Sequence, residues 1–285
     1  MKKILITGAD GMLAHDFIQS QKNKFQIIGF DKSVLDITVL HNIDTIVQNV
    51  KPDIILNCAA YLNAEKAEKE EKKRNFDVNA LGVFNLATIA KKYQKDFITL
   101  STDYVFDGQK RNGYNETDIQ NPLNNYGLAK YLGEKLATEI YSNTLIIRTS
   151  WLYGGGKNYD NFVNTIVGLL NNEKEIKIVN NQFGSPTYTM DLSMAIGEII
   201  SNIEFLRGKI FHLSNDISNN GISWFDFADR ICKIKKKGAQ LVPCSSEEYE
   251  SGDISRPKFS KLNNNSSFLL RNWEEGLKEY LKRLE

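Results

Sequence analysis

Tyr126 and Lys130 stand four residues apart in "NNYGLAKYLGEKLA", a spacing that puts both side chains on one face of a helix. A tyrosine hydroxyl can give a proton to a carbonyl oxygen that turns negative as hydride arrives, but its free pKa, near ~10, makes proton exchange poor at neutral pH. A nearby ammonium stabilises the phenolate and lowers that pKa, and the same ammonium can bond a nicotinamide ribose. Thr102, upstream at the end of "DFITLST", offers a hydroxyl that can hold and polarise the carbonyl. Together these are a proton donor, its electrostatic partner and a clamp for carbonyl reduction. On the same helix Leu128, Leu132, Leu136 and Ile140 make a separate apolar stripe, so the core is expected to fill without Tyr126.

A hydride donor needs its own site, and the N-terminus supplies one. "ITGADGMLA" carries Gly8, Gly11 and Ala14 after a short apolar run and at the opening of a helix. Glycines there let the backbone turn sharply and approach a pyrophosphate, which meets the free N–H groups of the helix N-terminus. Asp31, in "IIGFDKS", falls where a second strand ends and where a carboxylate accepts hydrogen bonds from the adenosine ribose. That favours NADH, while Lys32 beside it allows a 2′-phosphate and hence NADPH.

The elements that position these residues are legible in the first half. "KKILIT", "QIIGF", "DIILNCAA", "DFITLST" and "TLIIRTS" are compact apolar runs separated by segments of helical spacing, such as "NALGVFNLATIAKKY". Strand-helix alternation with continuous apolar strands predicts a Rossmann-type α/β fold, a doubly wound parallel sheet covered on both faces. Ligands in such sheets sit outside the carboxyl ends of the strands, which delivers Thr102, Asp103 and Tyr104 to a cleft. After about residue 150 the pattern loosens, and polar connections such as "NNQFGSPTY" become frequent. We therefore expect residues 1–150 to form a dinucleotide-binding domain and 151–285 mainly a smaller C-terminal α/β substrate lobe, interleaved with the first.

The bulk numbers narrow the function further. With 36 Lys+Arg against 35 Asp+Glu in 285 residues, there is no global charge to mark a nucleic-acid binder. Cys58, Cys232 and Cys244 show no CxxC spacing, which fits free thiols in a reducing compartment. His15, His41 and His212 form no metal-spaced cluster. No apolar run reaches membrane-spanning length, so the expectation is a cytoplasmic protein without membrane or metal. The charge-mixed "AEKAEKEEKKR" reads as a solvated helical segment held by weak i, i+4 pairs.

Taken together, "TGADGMLA", "NCAAY", "LSTDYVFDG" and "YGLAK" resemble the extended short-chain dehydrogenase/reductase superfamily. "STDYVFDG", "NPLNNYGLAK", "RTSWLYG", "NNQFGSPTY" and "SRPKFSKL" resemble its dTDP-4-dehydrorhamnose reductase branch more narrowly. The resemblance implies Thr102, Tyr126 and Lys130 as catalytic residues. It implies Gly11, Met12 and Leu13 at the dinucleotide turn, Asp31 at the ribose, Asp36 and Ile37 on the adenine side, and Ala60, Tyr61 and Leu62 along the cofactor after the third strand. Thr102, Asp103 and Trp151 match positions that touch the deoxysugar, with Tyr104 their neighbour, and Arg256 could pair with a sugar-nucleotide diphosphate. The implied reaction is NADPH- or NADH-dependent reduction of the C4 keto group of a dTDP-linked 4-keto-6-deoxyhexose; a homodimer is compatible with it. Two alternatives stand beside this reading: reduction of another 4-keto sugar nucleotide, and a regulatory subunit on the same fold that binds a methionine adenosyltransferase. Leu62, Asn63 and the glycine-rich "YGGGKNYDNF" depart from the branch pattern.

Overall fold

The computed structural model describes residues 1–217, 220–236, 239–249 and 254–285. Five parallel strands come from the first half of the chain: β1 (Lys3–Thr7), β2 (Gln26–Phe30), β3 (Ile54–Asn57), β4 (Asp96–Thr102) and β5 (Leu145–Thr149). A sixth, Ile210–His212, returns from the second half and pairs with β5, so the spatial order is Ile210–His212, β5, β4, β3, β1, β2. The strand "KIFHLSN", which the sequence assigns chiefly to the smaller lobe, thus completes the main sheet.

Helices α1 (Met12–Gln21), α2 (Leu40–Val50), α3 (Ala64–Glu68), α4 (Lys72–Phe76), α5 (Val83–Lys92) and α6 (Asn125–Ile140) belong to the first half; α7 (Phe162–Asn172), α8 (Thr189–Ser201) and α9 (Trp224–Lys235) follow. One sheet face packs Ile4, Ile6 and Leu56 against α1 and α8 through Phe17, Leu192 and Ile196. The other packs Leu5, Ile55 and Phe97 against α2 and α5 through Ile43, Val47 and Leu86. Alternate residues of β1 thus enter opposite cores, as the two-residue period of a strand requires, and this is why the strand reads as a continuous apolar run. A third core joins α7, α9 and the C-terminal helix Trp273–Arg283 through Ile166, Phe227, Ile231 and Leu277. Among the described residues, no helix is long and apolar enough to cross a membrane.

Helix α6 differs from its expected orientation. Its buried face is Gly127, Ala129, Lys130, Gly133, Glu134 and Ala137, whereas Leu128 and Leu136 are 37% and 39% exposed. Leu128 and Leu136 of the expected stripe therefore lie on the outer face, Leu132 is half-buried, and Ile140 packs against the core shared with α2 and α5. The cause is steric: a Cβ built on Gly127 would lie 2.2 Å from the Tyr104 carbonyl oxygen, and one on Gly133 would lie 2.2 Å from that of Asn79. Small residues let α6 approach backbone on the inner side, and the larger apolar ones are left outside. Asn124 starts the helix, its side chain accepting from the Gly127 N–H at 2.8 Å; such a cap is worth about 1 kcal/mol.

The charge-mixed segment is also more than a solvated surface. It forms α3 and α4, and its Glu68 carboxylate accepts from the Asn125 N–H at 2.9 Å, while Asn75 donates to the Asn125 carbonyl at 2.8 Å. A turn of π-helix, Asp77–Gly82, follows. It presents Asn79, which bonds both backbone polar groups of Tyr61 and fixes the chain leaving β3.

Candidate active site

At the carboxyl ends of the central strands lies a cleft of about 290 Å³. Gly11, Met12 and Leu13 line it from the first turn, Ala60 and Leu62 from the chain after β3, Thr102 and Asp103 from the end of β4, and Tyr126 and Lys130 from α6. A second cleft of about 450 Å³ is lined by Tyr104, Trp224, Glu65 and Arg256. Leu62, Thr102, Asp103, Tyr126 and Trp151 line both. The candidate catalytic hydroxyls thus stand where the two chambers meet.

The first chamber fits a dinucleotide on three observations. Gly8 has φ +64°, and a Cβ there would lie 2.7 Å from Ala59 Cα, so only glycine lets this turn press against the end of β3. Gly11 caps α1 without a side-chain hydrogen bond, leaving first-turn N–H groups for an anion. Ser101 Oγ and Thr149 Oγ1, on residues that line the chamber, are buried with no protein partner, as expected where a polar ligand completes them.

Other sequence candidates are placed differently. Asp31 follows β2, and its Oδ1 accepts from the Ser33 N–H at 2.8 Å and the Ser33 hydroxyl at 2.5 Å; the Ser33 hydroxyl lowers its pKa, keeping it ionised. Asp36 accepts from Thr38 N–H and hydroxyl at 2.9 and 2.7 Å, closing its own turn. Ile37 is 3% exposed and buried with α2 and α5. Neither lines the cleft. Tyr61 does not line the cleft either; its ring lies 5.6 Å from the Arg74 guanidinium and Asn79 bonds its backbone. The missing Cβ of Gly127 faces the Tyr104 carbonyl, so this glycine serves helix docking.

At the junction, the Thr102 hydroxyl donates to Asp103 Oδ1 at 3.0 Å and accepts from the Tyr104 N–H at 3.2 Å. Burial pushes the Asp103 carboxyl up to about 6, against hydrogen bonds from Ser260 and Thr102. Burial also raises Tyr126 well above its ordinary pKa, opposed by a hydrogen bond from Thr102. This reverses the expected depression by Lys130. The reason is geometric: Lys130 Nζ donates to the Leu100 carbonyl at 2.6 Å, and burial brings the ammonium down to about 8, with Glu134 opposing. Tyr126 is therefore a neutral phenol, the form that can donate a proton.

Trp151 carries φ 48°, a left-handed conformation that costs a bulky residue on the order of 1–3 kcal/mol. Its indole stacks on Trp224 with centroids 3.4 Å apart and planes at 5°, and a Cβ on Gly184 would come within 2.5 Å of the same indole. Trp224 was missed in the sequence. Its local signal, the capping box Ser223–Asp226 that opens α9, marks a helix start but not the partner across the cleft. Arg256 donates to Tyr104 Oη at 3.3 Å and Glu65 Oε1 at 3.0 Å, tying α3 to the segment after residue 254 over the second chamber.

Comparison with known proteins agrees with this architecture. The family model described as the RmlD substrate binding domain matches residues 1–285. The dTDP-4-dehydrorhamnose reductase of Aggregatibacter actinomycetemcomitans is 36% identical, over 85% of this chain and 83% of that protein. The spore coat polysaccharide biosynthesis protein SpsK of Bacillus subtilis (strain 168) is 33% identical over 99% and 98%. The crystal structure of dTDP-4-dehydrorhamnose reductase from Bacillus anthracis str. Ames, in complex with NADP, superposes with a TM-score of 0.92 at 35% identity, covering 100% of both chains. On this match along its whole length, the chain belongs to the RmlD family, that of the dTDP-4-dehydrorhamnose reductases.

Proposed function

We propose that this protein is an oxidoreductase that reduces the C4 keto group of dTDP-4-dehydro-β-L-rhamnose to dTDP-β-L-rhamnose with NADPH, and with NADH as a second donor. The observation that carries this reading is the meeting of the two chambers at Thr102 and Tyr126. The nicotinamide cofactor supplies hydride when bound. Gly11, Met12 and Leu13 hold its pyrophosphate end, and Lys130 bonds its ribose. Thr102 orients the sugar carbonyl, Tyr126 gives its phenolic proton to the C4 oxygen, and Trp151 walls the sugar. A neutral Tyr126 and an ionised Asp103 at neutral pH suit this division, because only one group then donates to the developing alkoxide. Residues 1–150, with the returning strand, form the cofactor lobe and most of 151–285 the substrate lobe. A cytoplasmic location accompanies this reading, in keeping with free thiols at Cys58, Cys232 and Cys244.

The test is nicotinamide absorbance followed with dTDP- and UDP-linked 4-keto sugars side by side, with identification of the sugar formed. Oxidation with the dTDP-4-dehydrorhamnose sample and recovery of the rhamnose epimer are expected. No oxidation of either cofactor across the panel, together with co-purification of a synthetase, would instead favour a regulatory subunit.

Arg256 gives a second expectation. A sugar-nucleotide diphosphate entering the second chamber offers this guanidinium a bidentate partner in place of Glu65. Arg256→Met should raise KM for the sugar nucleotide about tenfold with kcat within about twofold, the pattern of lost ground-state binding. Glu65→Gln should leave KM equal or lower. Initial-rate kinetics on both variants check this, and a fall in kcat alone for Arg256→Met would contradict it.

A further inference from the structure

The buried face of α6 carries a second charged side chain one turn beyond Lys130. Glu134 is 3% exposed, and Arg148 from β5, 1% exposed, closes on it through Nε to Oε1 at 2.9 Å and Nη2 to Oε2 at 2.8 Å. Gln120 donates to Oε2 as well. Arg148 Nη1 lies 3.2 Å from both the Glu116 carbonyl and Nε2 of His212. Burial first, then Arg148, brings the His212 pKa down to about 4, so the imidazole is neutral, donating from Nδ1 to the Tyr114 carbonyl at 3.0 Å and accepting at Nε2 from Arg148. The charged groups of this network nearest α6 are therefore one carboxylate and one guanidinium.

A buried ion pair that only fastened α6 to β5 could be replaced by apolar residues of similar volume. This one stands a helical turn from a buried ammonium that lines the cofactor chamber, and Glu134 is the largest influence holding the Lys130 proton on against burial. Cys58 adds a smaller contribution of the same sense. Tyr126 on the same helix and Asp103 from the end of β4 line the same chamber; Glu116 lies on the far side of Arg148, where Asn265 bonds its carboxylate.

We propose that Glu134 is a positioning residue for Lys130: one turn further along the same buried face of α6 and clamped by Arg148, its carboxylate supplies the counter-charge for the ammonium in the cofactor chamber. This rests on the reading of Lys130 as the group that bonds the cofactor ribose. A carboxylate and a guanidinium act on an ammonium with opposite sign. Removing Glu134 leaves a guanidinium that repels the ammonium, and removing Arg148 leaves a carboxylate that attracts it without opposition.

The test uses the full chain. NADPH affinity and kcat/KM are measured from about pH 6 to about pH 10, a range that brackets the alkaline limb, with melting temperature alongside. In the wild type, NADPH affinity should fall as pH rises through the Lys130 pKa. Glu134→Gln should move that limb down by about one pH unit, equal to about tenfold weaker binding on the alkaline side. Arg148→Gln should move it up, and Glu134→Asp should restore most of the wild-type position. A fastening role alone would lower melting temperature in both variants and leave the limb fixed. Limbs that stay fixed, or move in the same direction in both variants, overturn the proposal. Should either substitution prevent folding, the double variant Glu134→Met/Arg148→Met, which removes the pair without leaving a buried charge unpaired, is measured in its place; its limb should also move down, and an unmoved limb there counts equally against the proposal. Lys130→Met separates the two readings: it should weaken NADPH binding and abolish the limb, and wild-type affinity with the limb intact would refute the role of Lys130 itself.

Discussion

Tyr126→Phe should lower turnover by about 10²- to 10⁴-fold, the range for loss of a general acid, with NADPH affinity within about twofold of wild type. The substitution removes one oxygen from a side chain that packs edge-on to Tyr104, centroids 5.6 Å apart at 81°, so ring packing and the position of α6 are retained. What is lost is the phenolic hydroxyl that meets Thr102 at the junction. Thr102→Val should produce a smaller loss, because it removes carbonyl polarisation and a bond to Asp103 but leaves the proton donor. Stopped-flow measurement of nicotinamide oxidation, with cofactor affinity from fluorescence titration, distinguishes the two. Near-normal single-turnover rates in Tyr126→Phe would sink the assignment of the proton donor. Equal losses in binding and turnover would point to a collapsed chamber instead.

Much of this arrangement was readable in the chain because it depends on local chemistry. The strands were visible as apolar runs because both sheet faces are covered, and the first turn was visible because Gly8 needs a positive φ and Gly11 an uncapped helix start. The inner face of α6 was not readable. Leu128 and Leu136 looked like a core stripe, yet what decides the burial of that helix is the approach of Gly127 and Gly133 to carbonyls of distant residues, a tertiary constraint that periodicity does not encode. The same limit hid the Trp151–Trp224 stack, since residues 73 positions apart meet only through the second lobe. It also hid the burial that raises the Tyr126 pKa where Lys130 was expected to lower it. Four-residue spacing places two side chains on one face, but the Leu100 carbonyl decides where the ammonium goes.

Gly127→Ala tests that constraint directly, and its outcome turns on a contest of magnitudes. Helix propensity favours alanine over glycine by about 1 kcal/mol in a helix interior, so a reading from local preference predicts a more stable protein. Against this, the added methyl would lie 2.2 Å from the Tyr104 carbonyl oxygen and 3.0 Å from its carbon, and backbone cannot rotate away as a side chain can. Overpacking of this kind costs about 1–3 kcal/mol, so we expect a net fall in melting temperature of a few degrees. The larger effect should be on chemistry. Relief requires α6 to withdraw from the turn that follows Thr102, carrying Tyr126 with it, and a displacement of about 1 Å at a reacting group can cost on the order of 10² in rate. Leu128→Gln, on the exposed side of the same helix, adds a polar group without touching that contact and should change neither quantity appreciably. Calorimetry and turnover on the two variants decide the matter. Wild-type turnover in Gly127→Ala would mean that the approach of Tyr126 to Thr102 is set elsewhere, whereas lost turnover with a nearly intact melting temperature would identify this glycine as the spacer that brings proton donor and carbonyl clamp together.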